Sequence, residues 1–286
     1  MTYLSFFDPL SMFKFNKGMK VERVVKMNKE IINTLQRREK IIHLLDTENT
    51  VSVNKLSKLF KVSSVTIRND LRHLEEKGCI LRCYGGAMLN KSFALDKPLL
   101  DKSRINSIIK NKIAQRAAEM VNDGDRIILD SGSTTAAMVP YLRNKKNLIV
   151  FTNAVNIAYE LSTNNDIEVI IAGGNIRKKA YSISGPTVEQ QLRMYHFDKL
   201  FLGVDGFDLD AGITTPNFGE ANVNRVMCQV SGQIIAMTDS TKFGRKSFCT
   251  IEKINLIKTL ITDTKIPKDY LEQLHKLGIN VVIVDD

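Results

Sequence analysis

The chain has 286 residues, 43% of them hydrophobic, and a formal net charge of +10; that length suits two compact domains with a buried core in each. The positive excess favours a polyanionic partner such as nucleic acid, although surplus lysine also serves solubility. The four cysteines lack CxxC spacing and the four histidines are scattered without HExxH, which argues against a disulfide scaffold or a metal site and fits a reducing, cytoplasmic compartment.

The opening stretch MTYLSFFDPLSMFKFNKGMK is apolar in patches, but Asp8 and Pro9 interrupt it and no small-residue cleavage site follows. It reads as neither a signal peptide nor a membrane span. Residues 1–30 lack periodicity, and Met19 and Met27 both precede the first strong helix. A disordered arm or a mis-annotated start is expected there.

Residues 31–92 are expected to form a first domain. In QRREKIIHLLD, from Gln36 to Asp46, Ile41, Ile42, Leu44 and Leu45 share one helical side, and VNKLSKLF, from Val53 to Phe60, repeats apolar residues at helical spacing. A turn at Lys61 and Val62 leads to Ser63, whose hydroxyl is placed to cap a third helix running to Lys77 and stopped by Gly78. Three helices with a tight turn between the last two make a helix-turn-helix. Along the third helix Ile67, Leu71 and Leu74 share an arc, while Arg68, Asn69 and Arg72 point the other way. Arginine pairs with guanine edges and asparagine with adenine edges, and Ser63, Ser64 and Thr66 at the helix start suit phosphates or bases. The following CILRCYGGAML has two short alternating strands about Gly85-Gly86, a hairpin wing that places Arg82 and Tyr84 against a DNA backbone or minor groove. The plainer alternative is a solvated face whose arginines pair with Glu75 and Glu76; the neighbouring helices, turn, cap and wing favour DNA. Cys79 and Cys83 flank the wing as free thiols, with a redox or metal switch as the alternative.

Residues 93–124 are expected to link this domain to the next, with a boundary near Leu95 and a helix, IIKNKIAQRAAEMV, ending at Asn122-Asp123-Gly124. From residue 125 to 286, apolar runs alternate with helical patterns: Arg126 to Asp130, Leu148 to Asn153, Ile167 to Gly174, Leu200 to Asp205, Ile234 to Asp239, Thr259 to Asp263 and Val281 to Val284. The alternation predicts an α/β fold with a largely parallel sheet covered by helices on both faces. Ligands bind at the strand C-terminal ends of such sheets. The first such end is DSGSTT: Asp130, Ser131, Gly132, Ser133, Thr134 and Thr135, ahead of a helix beginning near Ala136. Its amides and hydroxyls suit a phosphate, with an ordinary capped helix start as the alternative. Polar residues recur at other strand ends, among them Thr152, Asn153, Gly173, Arg177, Asp205, Thr215, Glu220, Asp239 and Lys242. Carboxylates and amides suit sugar hydroxyls or an amine, and Arg177 or Lys242 suits a phosphate. Neither a Walker A motif nor GxGxxG is present.

The segment RREKIIHLLDTENTVSVNKLSKLFKVSSVTIRNDLRHLEEKGCILRCYGGAML closely resembles the DNA-binding domain of DeoR-type bacterial transcriptional regulators. DSGSTT, TNA, AGGNIR, FLGVDGFD, EANVNRVM and TDSTKF are similar to that family's sugar-phosphate sensor domain, so the resemblance covers nearly everything from Arg37 onward. It implies a homo-oligomeric repressor of a sugar-utilisation operon that binds a double-stranded DNA operator and is released by a phosphorylated sugar, without cofactor or membrane partner. The recognition helix and YHFDKLFLGVDGFDLDAGITT look most similar to the amino-sugar branch, which implies galactosamine 6-phosphate or N-acetylgalactosamine 6-phosphate as effector. The sensor fold also resembles ribose-5-phosphate isomerase and coenzyme A transferases, so an isomerase-like enzyme with a DNA-binding appendage is one alternative and a transcriptional activator another. By the isomerase likeness SGSTTA would hold phosphate, and Asp205, Glu220 and Lys242 would line the sugar. The isomerase's glycine-rich lysine segment is absent, however, with GITTPNFGEANVN in its place; binding without turnover is expected.

Overall fold

The computed structural model describes residues 33–90 and 96–285. The expectations for residues 1–30 and for a boundary near Leu95 lie outside the described residues. The chain begins with α1 (Thr34–Glu48), α2 (Val53–Phe60) and α3 (Ser64–Glu76). Each contributes one apolar stripe to a shared core: Ile41 and Leu45, then Val53 and Leu56, then Ile67, Leu71 and Leu74, all buried. Ser52 and Ser63 cap α2 and α3, their side-chain oxygens accepting the N–H of Lys55 at 3.2 Å and of Thr66 at 3.1 Å. Between these two helices Lys61 adopts a left-handed φ of 55°, which reverses the chain within one turn.

The wing comprises β2 (Ile80–Cys83) and β3 (Gly86–Leu89), antiparallel to each other, with β1 (Thr50–Ser52) pairing on the other side of β3. Three residues between two helices carry no readable period, so β1 is a strand the sequence did not announce. Gly86 is required there, because a Cβ would meet the Val51 carbonyl oxygen at 2.1 Å. Beneath α3, buried Asp70 accepts from Arg37 Nε at 2.6 Å and from Arg38 Nε at 2.9 Å, tying α1 to α3.

Two helices follow, α4 (Leu99–Arg104) and α5 (Ser107–Ala118). The sequence predicts only the second; α4 buries Leu99 alone among its residues and so shows no stripe. The remainder contains β4 (Arg126–Leu129), α6 (Ser133–Ala136), β5 (Leu148–Thr152), α7 (Val155–Leu161), β6 (Ile167–Ile171), β7 (Asn175–Arg177), β8 (Ser182–Ser184), α8 (Pro186–Leu192) and β9 (Phe197–Gly203). After these come β10 (Gly206–Asp208), β11 (Gly212–Thr215), α9 (Phe218–Gln229), β12 (Ser231–Met237), β13 (Cys249–Glu252), β14 (Thr259–Asp263), α10 (Lys268–Lys276) and β15 (Asn280–Val284). The seven predicted runs become one sheet in the order β15-β14-β12-β9-β4-β5-β6, parallel throughout. Successive residues serve opposite layers: Ile127 and Leu129 join a core with Ile113 and Ala117 of α5, while Ile128 joins one with Val188 of α8 and Val223 of α9. The second layer is continuous with the core of α1–α3.

Two small antiparallel assemblies, β7-β8 and β10-β11-β13, decorate the sheet. The helix expected near Ala136 is instead the single turn α6, followed by a 3-10 turn at Val139–Leu142. Pro140 lacks the N–H that a continuing α-helix would need. The architecture is therefore a winged helix-turn-helix followed by a parallel α/β domain. In that sheet the chain runs from β4 outward to β5 and β6, then returns to place β9 on the other side of β4. Such a reversal opens a crevice at the C-terminal ends of the two central strands.

Candidate DNA interface and effector pocket

On α3 the arc of Ile67, Leu71 and Leu74 is buried, and Arg68, Asn69 and Arg72 are exposed. The Arg72 guanidinium donates to Asn69 Oδ1, which pre-sets one side chain against the other. Ser63 Oγ is engaged as the cap and lies 2.9 Å from Thr66 Oγ1, while Ser64 and Thr66 are half-buried at the first turn. Tyr84 stands fully in solvent at the wing tip. Arg82, on the wing strand, pairs with Glu75 of α3 at 3.5 Å. Both partners are exposed, and such pairs stabilise by only ~0–1 kcal/mol, so a phosphate can replace the carboxylate. A groove between α3 and the wing is lined by Arg68, Arg82, Cys83 and Tyr84 together with Asn54 of α2, a residue not singled out from sequence. Cys79 is buried and Cys83 exposed, both as free thiols; burial pushes the Cys79 thiol up to about 12.

The crevice beside β4 forms a polar pocket. Asp130, Ser131, Gly132, Ser133 and Thr134 follow β4, Asp205 follows β9, and Asp239 and Lys242 follow β12. Glu220 and Asn224 of α9 supply one wall, and Lys97, Lys102 and Lys110 another. Four carboxyl groups and four lysines thus line a cavity of about 50 Å³. That space holds a few waters, whereas ligand pockets commonly span ~300–1,000 Å³.

Pairing inside the pocket is partial. Lys102 Nζ lies 2.6 Å from Asp205 Oδ1, and Thr215 Oγ1 donates to Asp205 Oδ2 at 3.3 Å. Burial opposes both charges, but each partner more than offsets it, so the Lys102 pKa is raised and that of Asp205 lowered. Lys110 donates to the Lys102 carbonyl, and burial brings its pKa down to about 8. Lys242 is also lowered by burial. Asp130 Oδ2 accepts from Gly203 N at 3.3 Å and from Asn224 Nδ2 at 3.4 Å. Its Oδ1 and Asn224 Oδ1 are buried without a hydrogen-bond partner. Burial, reinforced by the negative charge of Glu220, holds Asp130 well above the usual carboxylate range. Chemically, this pocket offers cationic and hydroxyl groups to an anion and, interleaved with them, acceptors to hydroxyl or amine donors.

Of the residues singled out from sequence, Asp130, Ser131, Gly132, Ser133, Thr134, Asp205, Thr215, Glu220, Asp239 and Lys242 lie together here. Thr135 does not: it is buried, with its hydroxyl donating to the Gly132 carbonyl at 3.0 Å. Asn153 is buried against the Ile183 carbonyl at 3.2 Å, and the Gly173 N–H goes to Gln191 at 2.9 Å. These two follow β5 and β6, on the side of β4 away from the crevice, which strand-end reasoning cannot distinguish. Arg177 lies beside the pocket, with Nη1 and Nη2 each 3.2 Å from Asp96 and Nη2 3.1 Å from Glu220 Oε1. Two carboxylates already occupy the guanidinium expected to meet a phosphate. Lys97, Lys102, Lys110 and Asn224 were missed. For Lys110 a signal existed, since it falls on the buried stripe of α5 with Ile113, Ala114 and Ala117, where a charge needs a reason.

The DeoR-like helix-turn-helix domain matches residues 37–93, and the DeoR C terminal sensor domain matches residues 105–264. A relative from Escherichia coli O157:H7 named "Putative aga operon transcriptional repressor" is 42% identical over 260 residues, covering 90% of this chain and 97% of its own. The glycerol-3-phosphate regulon repressor of Escherichia coli K12 is 31% identical, over 84% of this chain and 94% of its own. Among solved structures, ribose 5-phosphate isomerase from Plasmodium falciparum is similar over 48% of this chain and 52% of that one, at 15% identity and a TM-score of 0.36, too low to bear on fold or activity. No helix among the described residues is long and apolar enough to cross a membrane. With both domains matched in this order, and relatives aligned over nearly their whole length, the chain belongs to the DeoR family of helix-turn-helix transcriptional regulators.

Proposed function

We propose that the protein is a cytoplasmic homo-oligomeric repressor of an amino-sugar utilisation operon, released from its operator when a phosphorylated amino sugar binds the crevice beside β4. The supporting observation is the composition of that crevice. Lys102, Lys110 and Lys242, with the Ser131–Thr134 turn, would hold the phosphate. Asp130, Asn224 and Glu220 would receive the donors of the sugar, two of their oxygens being buried without partners. The relative named for an aga operon supports the amino-sugar assignment.

Mechanism follows from size. A cavity of about 50 Å³ does not admit a hexose phosphate, so binding would have to open the pocket, and parting Lys102 of α4 from Asp205 is the opening proposed. The ligand then has different contacts in two states, the condition for changing operator occupancy. On DNA, lysines and arginines supply salt-dependent affinity, while Arg68, Asn69 and Arg72 discriminate bases. An oligomer would present paired recognition helices to paired half-sites.

The test is a DNA mobility shift on the promoter of the nearest sugar-transport operon. Galactosamine 6-phosphate, N-acetylgalactosamine 6-phosphate and related hexose and pentose phosphates are titrated against the complex. Release by a phosphate but not by its unphosphorylated sugar is expected, and Asp130→Ala or Lys242→Ala should keep operator binding while abolishing release. Specific binding that no phosphate alters would remove the effector role. Turnover of ribose 5-phosphate by the purified chain would favour an enzyme instead.

A further inference from the structure

The contact between the two domains includes an ordered polar tie that operator reading and ligand binding do not by themselves require. Glu39 of α1, in the winged helix, accepts the backbone N–H of Phe218 at 3.0 Å across 179 residues of sequence. Phe218 is the first residue of α9, and Asn217 caps the same turn by accepting the Glu220 N–H at 3.0 Å. Glu220, in that turn, is a pocket wall. Its Oε1 accepts from Ser182 Oγ at 2.7 Å and meets Arg177 at 3.1 Å, and Arg177 in turn holds Asp96, which precedes α4.

We propose that Glu39 is a strut that couples the pocket to the DNA-binding domain, joining α1 to the helical turn that carries Glu220, so that a ligand displacing Glu220 also releases the winged helix from its operator-binding orientation. The inference rests on the pocket reading given above. Two physical points favour a switch over a passive contact. First, Phe218 and Glu220 belong to one turn of helix, so a ligand that shifts the α9 backbone at Glu220, rather than only its side chain, carries the Phe218 N–H with it. A bond of 3.0 Å is lost once donor and acceptor part by more than about half an ångström, so a small backbone shift of that turn suffices. Second, α3 and the wing keep their reading side chains in solvent while the strut is formed, so the tied state is free to meet DNA. His43 of α1, 3.3 Å from Lys179 after β7, is a second tie on the same side.

The experiment uses the full chain and three proteins: wild type, Glu39→Ala and Glu39→Gln, the last retaining an acceptor oxygen. Operator affinity is measured by fluorescence anisotropy without ligand and with saturating galactosamine 6-phosphate, and each variant's fold is verified by its thermal transition. The strut predicts that Glu39→Ala loses at least about tenfold in ligand-free operator affinity and then responds to the phosphate less than threefold. Glu39→Gln should recover most of both. Wild-type ligand-free affinity in Glu39→Ala would overturn the proposal, and so would weakened affinity with an undiminished response, because the contact would then be structural only. Should no phosphate move the wild type, the pocket reading fails, while the ligand-free comparison still decides whether Glu39 sets the operator-binding state.

Discussion

In the winged helix the groups suited to meet a partner stand outward: Arg68, Asn69 and Arg72 are exposed along α3 and Tyr84 at the wing tip, while the buried ionic cluster, Asp70 with Arg37 and Arg38, is fully paired and serves the fold. The α/β domain does the reverse. Its pocket-lining charges, Asp130, Asp205, Glu220 and the lysines around them, are drawn inward, and Asp130 Oδ1 is left without a hydrogen-bond partner. On the function proposed above, a long polyanion would meet exposed side chains with little to desolvate, whereas a small polar ligand would be enclosed by a site that already holds desolvated charge.

The largest test of this contrast is Asp70→Ala. Leaving two arginines beside an apolar core without their carboxylate should cost about 3–5 kcal/mol of stability, read from urea unfolding of the full chain. A loss under about 1 kcal/mol would mean that the two domains treat buried charge alike. Next in size, Arg68→Ala should lower specific operator affinity by about 1–3 kcal/mol, roughly ten- to a hundredfold, and non-specific DNA binding far less. Equal losses would sink its base-reading role.

The third test addresses the pocket through pH. Burial brings Lys110 down to about 8, so the ammonium is charged at pH 7 and is lost as pH rises through that value. Affinity for a phosphorylated effector should therefore be level near neutrality and fall up to about tenfold by pH 9. Lys110→Arg should flatten the profile, and an already flat wild-type profile would place Lys110 away from the phosphate. Smallest is Ser63→Ala, which removes the cap of α3 and should cost about 1 kcal/mol of stability without altering effector release. An operator loss exceeding the stability loss would make Ser63 a DNA contact as well as a cap.

Much of the fold was legible because it depends on local periodicity. Apolar spacing located α1 to α3, Ser63 and Gly78 bounded the third helix, and the seven apolar runs are the seven strands of the large sheet. Elements without a period of their own were not legible: β1, α4 and the small strands β7, β8, β10, β11 and β13 are three to six residues long, and tertiary partners hold them in place.

The site divides along the same line. Residue types at strand ends announced a polar pocket, and one arc of α3 announced an exposed basic face, since side-chain direction follows from helix and strand geometry alone. Only the tertiary structure decided which strand ends meet. The order β12-β9-β4 gathers Asp130, Asp205 and Lys242 and leaves Asn153 and Gly173 outside. Folding also brought Lys102 and Lys110 in from helices that precede the sheet, turned Arg177 toward Asp96 and Glu220, and set Glu39 against Phe218. These are contacts between residues far apart in the chain, and no local pattern specifies them because their energies exist only once the two domains and the crossing strands have packed.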